Sequence, residues 1–151
     1  MEGKREYVKK AFQGYLTNKN TLFWLEQELN TIPIPGESGM DYTKISVQGG
    51  GGNIENQFAI YAERKAELER KIGELRKRIE LVRRTIEHFS VEYKAKGKRH
   101  YEYIQQRFLM RRSYTRAAIE VGIAESTAAL WIEEIFTVGE AIGEQYELLN
   151  D

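Results

Sequence analysis

The sequence contains no cysteine and only two prolines, Pro33 and Pro35, among its 151 residues. Without cysteine the chain has neither a disulfide framework nor a thiolate metal site, which suits a reducing compartment. No apolar run approaches the roughly 20 residues that span a bilayer, and the basic N-terminus lacks the apolar stretch of a secretory signal. We therefore expect a cytoplasmic protein. Because both prolines fall in one segment, the rest of the chain is predicted to be helical.

The chain also lacks a net charge, with 23 Lys and Arg against 23 Asp and Glu. The total charge therefore indicates no class of partner, and only the distribution of charge along the chain can do so. From Lys94 to Arg116 there are eight basic residues and one acid, Glu102, whereas residues 124–151 hold seven acids and no Lys or Arg. The C-terminal third is thus strongly polarised.

The spacing of apolar residues predicts an all-α fold in four parts. Residues 1–30 form an N-terminal helical segment, with a possible break between Thr17 and Thr21. Residues 31–53 form a linker that holds both prolines and the run Gly49–Gly52, with a short extended piece around Ile45 and Val47. Because no Lys-Ser or Lys-Thr pair follows these glycines, we interpret them as a flexible tether rather than a phosphate-binding loop.

Residues 54–92 form the third part, a long helix with an apolar heptad seam. Gaps of four and three residues alternate along the candidate oligomerisation residues, which are Leu68, Ile72, Leu75, Ile79, Val82 and Ile86. Nine basic and eight acidic residues between positions 54 and 93 indicate solvated, ion-paired flanks rather than a nucleic-acid surface. The seam requires a partner helix. That partner is either the N-terminal helix folded back or the same helix of a second subunit, and the sequence leaves both open.

The fourth part, residues 93–151, contains the pattern of a helix-turn-helix, Ser113–Ile132 (SYTRAAIEVGIAESTAALWI). Tyr114–Val121 is the first helix, Gly122 supplies the positive φ of the turn, and the second helix starts at Ala124. A break at Gly97 and a bracing helix over residues 99–112 precede the motif. The second helix either continues or restarts near Thr137, and an acidic C-terminal helix ends around residue 149. A plain helical hairpin would share part of this pattern.

Cations gathered beside a helix-turn-helix are typical of a DNA-binding surface. The candidate DNA-binding residues are Lys96, Lys98, Arg99, Arg107, Arg111, Arg112, Tyr114, Arg116, Ser126 and Thr127. The alternative is a solvated basic face that the acidic tail of the same chain or of a neighbouring chain neutralises. The second helix offers no Arg, Lys, Asn or Gln to base edges and carries Glu133 and Glu134, so we expect weak sequence-specific readout from this helix alone.

Catalytic chemistry finds no support in the residues. His88 and His100 stand alone, without a carboxylate and serine arrangement around them, and we interpret them as surface or packing residues. The glutamates of the C-terminal helix lack the Glu-x-x-His pairs of helical di-metal sites. We therefore predict no enzyme activity, no catalytic residues, no metal and no cofactor.

The order of these parts resembles a known group of phage proteins. The segments IENQFAIYAERKAELERKI and YIQQRFLMRRSYTRAAIEVGIAESTAALWI, with Gly122, Ser126 and Thr127, are similar to the RinA/ArpU-type regulators of phage late genes, whose helix-turn-helix is like region 4 of sigma factors. The resemblance covers residues 54–145. It implies DNA binding near late promoters in a bacterial host cell, with contact to host RNA polymerase.

The chain departs from that group at one place. Ala129 and Leu130 stand where the group usually carries a basic residue, which weakens the expectation of base-specific readout. The sequence thus predicts an oligomeric, most simply dimeric, regulator that binds double-stranded DNA. The alternatives are a small terminase-type DNA-packaging subunit and a helical assembly protein that does not bind DNA.

Overall fold

The computed structural model describes residues 3–35 and 54–149, which are mostly helical, with no β-strand among them. The predicted all-α fold with a long helix is confirmed. Six α-helices occur in the described ranges, namely α1 (Lys4–Gln13), α2 (Tyr15–Thr31), α3 (Ile54–His88), α4 (His100–Ile104), α5 (Tyr114–Val121) and α6 (Glu125–Gln145). π-Helical turns over Phe89–Tyr93 and Gln105–Leu109 extend α3 and α4. The glycine run and the piece around Ile45 and Val47 lie outside the described residues.

The chain divides into two compact units. Unit 1 comprises residues 1–19 and 75–151, and unit 2 comprises residues 20–74. The helices α2 and α3 each contribute to both units. In the described ranges no helix is both long enough and apolar enough to cross a membrane.

Unit 1 holds a continuous apolar core built from α1, the second half of α3, α4, α5 and α6. Its most completely buried large side chains are Val8, Phe12, Leu81, Val82, Phe89, Tyr103, Ile104 and Ile135. Phe12 lies at the centre, because its ring packs 5.1 Å from that of Phe108 and 5.7 Å from that of Phe136. The N-terminal helix is therefore an integral part of this core.

The break in the N-terminal helical segment lies at Gly14, not between Thr17 and Thr21 as the sequence suggested. Gly14 leaves the helical ladder at φ −95° and ψ 8°, and its amide donates to the Lys10 carbonyl at 2.9 Å. Glycine has a low helix propensity, and this explains why the chain turns there. Asn18 and Asn20 remain helical within α2, despite their weaker propensity.

The segment before the helix-turn-helix is shorter than predicted. The helical region from His100 ends at Leu109, three residues before the expected end at Arg112. Arg111 adopts a left-handed conformation with φ 54°, which is uncommon for a residue other than glycine. The predicted break at Gly97 is present, with a φ of 77°.

The two helices that the sequence predicts on either side of Gly122 are present, as α5 and α6. The Ser113 hydroxyl caps α5 by accepting from the Arg116 amide at 3.1 Å, and Gly122 closes the helix in the left-handed region at φ 82°. Ala117, Ala118 and Val121 of α5 and Ala128 of α6 are buried where the two helices meet. After Trp131, α6 continues without interruption to Gln145.

The heptad seam of α3 is not an exposed stripe. Val82 is fully buried in the core of unit 1, while Ile79 and Ile86 are half-buried against that core. Leu68 and Ile72 are buried in unit 2, and Leu75 is half-buried. The chain therefore covers this seam itself, so of the two arrangements that the sequence left open the described residues show coverage within one chain.

Candidate nucleic-acid interface

The start of α6 presents the side chains that a helix-turn-helix would bring to DNA. Ser126, Ala129 and Leu130 are exposed, and Thr127 is half-buried. The hydroxyl of Tyr114 donates to the Glu125 carbonyl and so ties the first turn of α6 to the start of α5. The amides of that first turn have no helical partner, and such amides favour an anion.

Two of the predicted cations flank α5 on one side. Arg116 Nη2 lies 2.8 Å from Glu120 Oε1, and Arg112 Nη1 lies 3.9 Å from the same oxygen. The Arg116 side chain is 58% exposed and that of Arg112 is 32% exposed. Exposed ion pairs of this kind contribute little to stability, so both guanidinium groups can exchange Glu120 for a phosphate at small cost.

A second basic group lies at the other end of α5. Arg99 Nη2 donates to the Val121 carbonyl at 2.8 Å, and its Nε pairs with Glu102 at 2.6 Å. Lys96 and Lys98 are exposed beside the Tyr93 ring. Lys98 and Arg99 border a groove of about 360 Å³ that is lined further by Gly97, His100, Ile123, Trp131 and Glu134. The predicted single cluster is therefore divided into two groups around α5.

The remaining predicted residues have structural contacts of their own. Arg107 Nη1 donates to the Arg112 carbonyl at 3.3 Å and packs against the Phe108 ring. Arg111 Nη2 donates to Thr17 Oγ1 at 2.7 Å. Tyr114 uses its hydroxyl within the motif, as described above. These three side chains are therefore engaged in contacts within the fold.

The acidic C-terminal helix is neutralised by α1, not by the basic groups around α5. Arg5 pairs with Glu133 and Glu140, both at 2.8 Å, and donates to Thr137 Oγ1 at 2.9 Å. Lys4 pairs with Glu144, and this carboxylate raises the pKa of the Lys4 ammonium above its usual value. Among the described residues, none of the eight cations between positions 94 and 116 pairs with an acid of α6. Within the described part of one chain, the acidic tail therefore does not neutralise the basic face.

The division into units also separates charge. Unit 1 carries 18 basic and 14 acidic residues, and unit 2 carries 5 basic and 9 acidic residues. The balanced total therefore conceals a unit of net charge +4, which contains the helix-turn-helix, and a unit of net charge −4. A positive helix-turn-helix unit suits a polyanionic partner.

No family model, curated protein or solved structure matches this chain.

His100 is packed between two aromatic rings. It is only 3% exposed and lies between the rings of Phe89 and Trp131, with ring centroids 5.6 and 4.3 Å away. Its Nε2 lies 3.2 Å from Glu134 Oε2, while Nδ1 has no hydrogen-bond partner within the described ranges. Burial lowers the pKa of this imidazole, and the neighbouring Glu134 carboxylate opposes that effect.

In the described part of the chain, no group of three or more His, Cys, Asp or Glu side chains is arranged to hold a metal ion. Four glutamates of α6 instead lie against the basic groups of Lys4, Arg5 and His100, namely Glu133, Glu134, Glu140 and Glu144. The chemistry that the arrangement supports is anion binding by cations and helix amides.

The sequence reasoning missed the role of α1. Glu133, Thr137, Glu140 and Glu144 recur at gaps of four and three along α6, which places them on one helix face. The basic residues Lys4 and Arg5 are complementary to that stripe. The two groups of opposite charge are therefore visible in the sequence. That they pair across 128 to 140 residues is shown only by the tertiary structure.

Proposed function

We propose that this protein binds double-stranded DNA through the helix-turn-helix formed by α5 and α6. The observation that carries the proposal is the motif itself, a capped α5, a left-handed Gly122 and a buried α5–α6 contact, flanked by cations that the acidic helix does not neutralise. In the more specific form of the proposal, the protein regulates late genes of a phage or prophage and contacts host RNA polymerase there.

In this function the first turn of α6 enters a groove and its amides, with Ser126 and Thr127, meet phosphates or base edges. Arg112 and Arg116 then lie beside the phosphate backbone. Glu133 stands further along α6 and would repel that backbone, but Arg5 neutralises it at 2.8 Å. The repulsion between the glutamates of this helix and the DNA backbone is thereby reduced.

The exposed face of α6 limits how much sequence the protein reads. Ala129 and Leu130 can contact a thymine methyl group but cannot donate hydrogen bonds from their side chains. Most of the affinity then comes from phosphate contacts, which are insensitive to sequence and sensitive to salt. The expected behaviour is moderate affinity with modest discrimination between DNA sites.

Fluorescence anisotropy with a labelled duplex, measured over a range of salt concentrations, tests the proposal. The Arg112→Ala/Arg116→Ala variant should raise Kd about tenfold or more on every sequence and lower the salt slope by about two. The matched control is Arg70→Ala/Arg83→Ala, which removes two exposed, ion-paired arginines from α3. Equal loss in both variants, or no loss in either, would contradict a role for the helix-turn-helix.

A second candidate function is a helical assembly protein in which the same motif binds protein. Ile119 of α5 and Leu130 of α6 are 62% and 66% exposed, and Glu125 and Glu133 lie on the same motif. Such a surface is typical of protein contacts more than of DNA contacts. If the wild-type protein fails to bind any duplex at low salt, this second function is favoured.

A further inference from the structure

Arg99, one of the predicted DNA-binding cations, is bonded within the protein on two sides of its guanidinium group. Its Nη2 donates to the Val121 carbonyl at 2.8 Å, and its Nε pairs with a Glu102 carboxylate oxygen at 2.6 Å. Arg99 is the N-cap residue of α4 and Glu102 lies in that helix, whereas Val121 is the last residue of α5. One side chain therefore ties the start of α4 to the end of α5, across 22 residues of sequence.

The carbonyl that accepts from this guanidinium group lies at the C-terminal cap of α5. Ile123 donates its amide to the Ala118 carbonyl at 3.0 Å, and Gly122 donates its amide to the Ile119 carbonyl at 3.1 Å. These two bonds are the pattern of a Schellman motif, and they satisfy two of the last four carbonyls of the helix. The Val121 carbonyl is a third, and a cation beside it also meets the negative end of the helix dipole. The guanidinium group thus adds to the cap of α5 from outside the helix.

The same carbonyl lies at the turn that sets the direction of α6. Val121 is followed by the left-handed Gly122, and Ala124 is already the N-cap of α6. Because only residues 122–124 separate the two helices, a rotation about the Val121 peptide is passed directly to the first turn of α6. Arg99 and Ile123 also line the groove described above, which places the Arg99 side chain beside the turn.

We propose that Arg99 is a positioning residue for DNA binding and not a phosphate contact. By holding the Val121 carbonyl, it fixes the turn and with it the direction in which α6 leaves α5. The amides and hydroxyls of the first turn of α6 are then aimed at the DNA before binding. This inference rests on the proposed function, and it changes the role of one residue that the sequence placed among the DNA contacts.

The contacts of Arg99 explain why it differs from Arg116. The ion pair of Arg116 with Glu120, four residues further on, lies within α5 itself and can be exchanged for a phosphate at small cost. The side chain of Arg99 is similarly exposed, at 53%, but turning it towards a phosphate would release both of its acceptors and untie two elements. The planar guanidinium fork holds two acceptors in fixed directions, which a lysine cannot do although it keeps the charge.

Fluorescence anisotropy with a labelled duplex, measured on the full-length protein over a range of salt concentrations, separates the two roles. Arg99→Ala and Arg99→Lys should each raise Kd about three- to tenfold, the size expected when one hydrogen bond is lost. The salt slope should stay close to that of the wild type in both variants. Arg116→Ala, as a phosphate contact, should lower the slope by about one.

A second control separates positioning from a general loss of stability. Val8→Ala removes part of a fully buried side chain of α1 and leaves the helix-turn-helix sequence unchanged, so it should bind DNA as the wild type does. The proton–nitrogen spectrum of the free protein adds a readout that needs no DNA. The amides of Ser126 and Thr127 should shift in both Arg99 variants and stay in place in Arg116→Ala. Circular dichroism establishes that each variant keeps its helix content.

Four results would overturn the inference. These are a salt slope that falls by about one in Arg99→Ala, an Arg99→Lys variant that binds as tightly as the wild type, a Val8→Ala variant that binds as weakly as Arg99→Ala, and unshifted amides in the first turn of α6. If the wild type binds no duplex, the proposed function fails, and the amide shifts alone decide whether Arg99 positions α6.

Discussion

At the scale of single residues, Gly139 and Gly143 of α6 allow three helices to approach closely. A Cβ atom at Gly139 would lie 2.8 Å from Val8 Cγ1 and 3.7 Å from both Phe12 Cε2 and Thr85 Oγ1. A Cβ atom at Gly143 would lie 2.6 Å from Leu149 Cδ2 and 3.0 Å from Leu81 Cδ1. Backbone contact at these two positions therefore brings α1 and α3 against α6.

Gly139→Ala should destabilise the protein by about 1 kcal/mol or more. The gain in helix propensity of roughly 1 kcal/mol is outweighed by overpacking, which costs about 1–3 kcal/mol, because Val8 is fully buried and branched at Cβ. The control is Gly73→Ala in α3, where no described atom lies within 4 Å of the added Cβ. That variant should be about 0.5–1 kcal/mol more stable than wild type. Urea unfolding measures the stability of both variants. A Gly139→Ala variant that is more stable than the wild type would contradict the packing described.

His100 makes stability depend on pH in the near-neutral range. Its folded pKa lies below the ordinary value of 6.5, because burial between Phe89 and Trp131 disfavours the cation more than Glu134 favours it. Lys98 lies nearby and adds to the lowering, and Tyr93 also faces the ring. The unfolded chain therefore binds a proton more readily than the folded chain. Stability is full above about pH 6.5 and falls as the pH drops through that value.

The measurement compares urea unfolding of the wild type and of His100→Phe at about pH 7.5 and about pH 5.5. The wild type should lose more stability between these two pH values than the variant, which keeps the aromatic stack but has no imidazole to protonate. His88 is present in both proteins and so cancels. An equal loss in the two proteins would mean that His100 is not the group responsible.

At the scale of elements, the turn between α5 and α6 depends on one left-handed residue. Gly122→Ala should cost about 1–2 kcal/mol, because φ 82° is unfavourable for a residue with a Cβ atom. No described atom lies within 4 Å of the added methyl group, so the cost is conformational and not steric. Gly122→Asn should cost less, since asparagine tolerates this region better. Thermal unfolding ranks the stability of the wild type and the two variants. A Gly122→Ala variant that is as stable as the wild type would show that the turn relaxes.

The contact of α1 with α6 links the N-terminal helix to the proposed DNA surface. Arg5→Ala would leave Glu133 without its partner and should weaken DNA binding about two- to tenfold, with only a small loss of stability because exposed pairs contribute little. Adding Glu133→Gln should restore most of the affinity, since position 133 then carries no charge and Glu140, the other partner of Arg5, lies two helical turns further along α6. Anisotropy at low salt is the measurement. A double variant as weak as the single one would point to a purely structural role for Arg5.

At the scale of the whole molecule, the two units differ in how completely they are built. The helix α3 passes through both, yet its Leu81–Phe89 stretch is in the core of unit 1 while Ile54, Phe58 and Ile60 are exposed in unit 2. Amide protection follows tertiary burial more than helix propensity. The buried and the exposed parts of α3 can therefore be compared within one helix.

Hydrogen exchange at low protein concentration should show slow exchange over residues 81–89 and much faster exchange over residues 54–63. Uniform protection along α3 at all concentrations would contradict the difference in burial between the units.

Local chemistry made much of this architecture predictable. Heptad spacing predicted α3, and Gly97 and Gly122 predicted the turns. Small apolar residues at 117, 118 and 128 predicted the α5–α6 contact. These features depend on residues close in sequence, where propensity and spacing act directly. The break at Gly14 was placed a few residues too late, because the two asparagines of α2 looked weaker than the glycine before them.

Contacts between distant segments were decided by the tertiary structure alone. The sequence left open whether the seam of α3 is covered by its own chain, and packing of the core answers this with intramolecular burial. In the sequence, eight cations fall within one short segment, whereas in the fold they are separated around α5. Three glutamates of α6 pair instead with Lys4 and Arg5. Charge patterns state which groups can pair, but which of them do pair depends on how the helices pack.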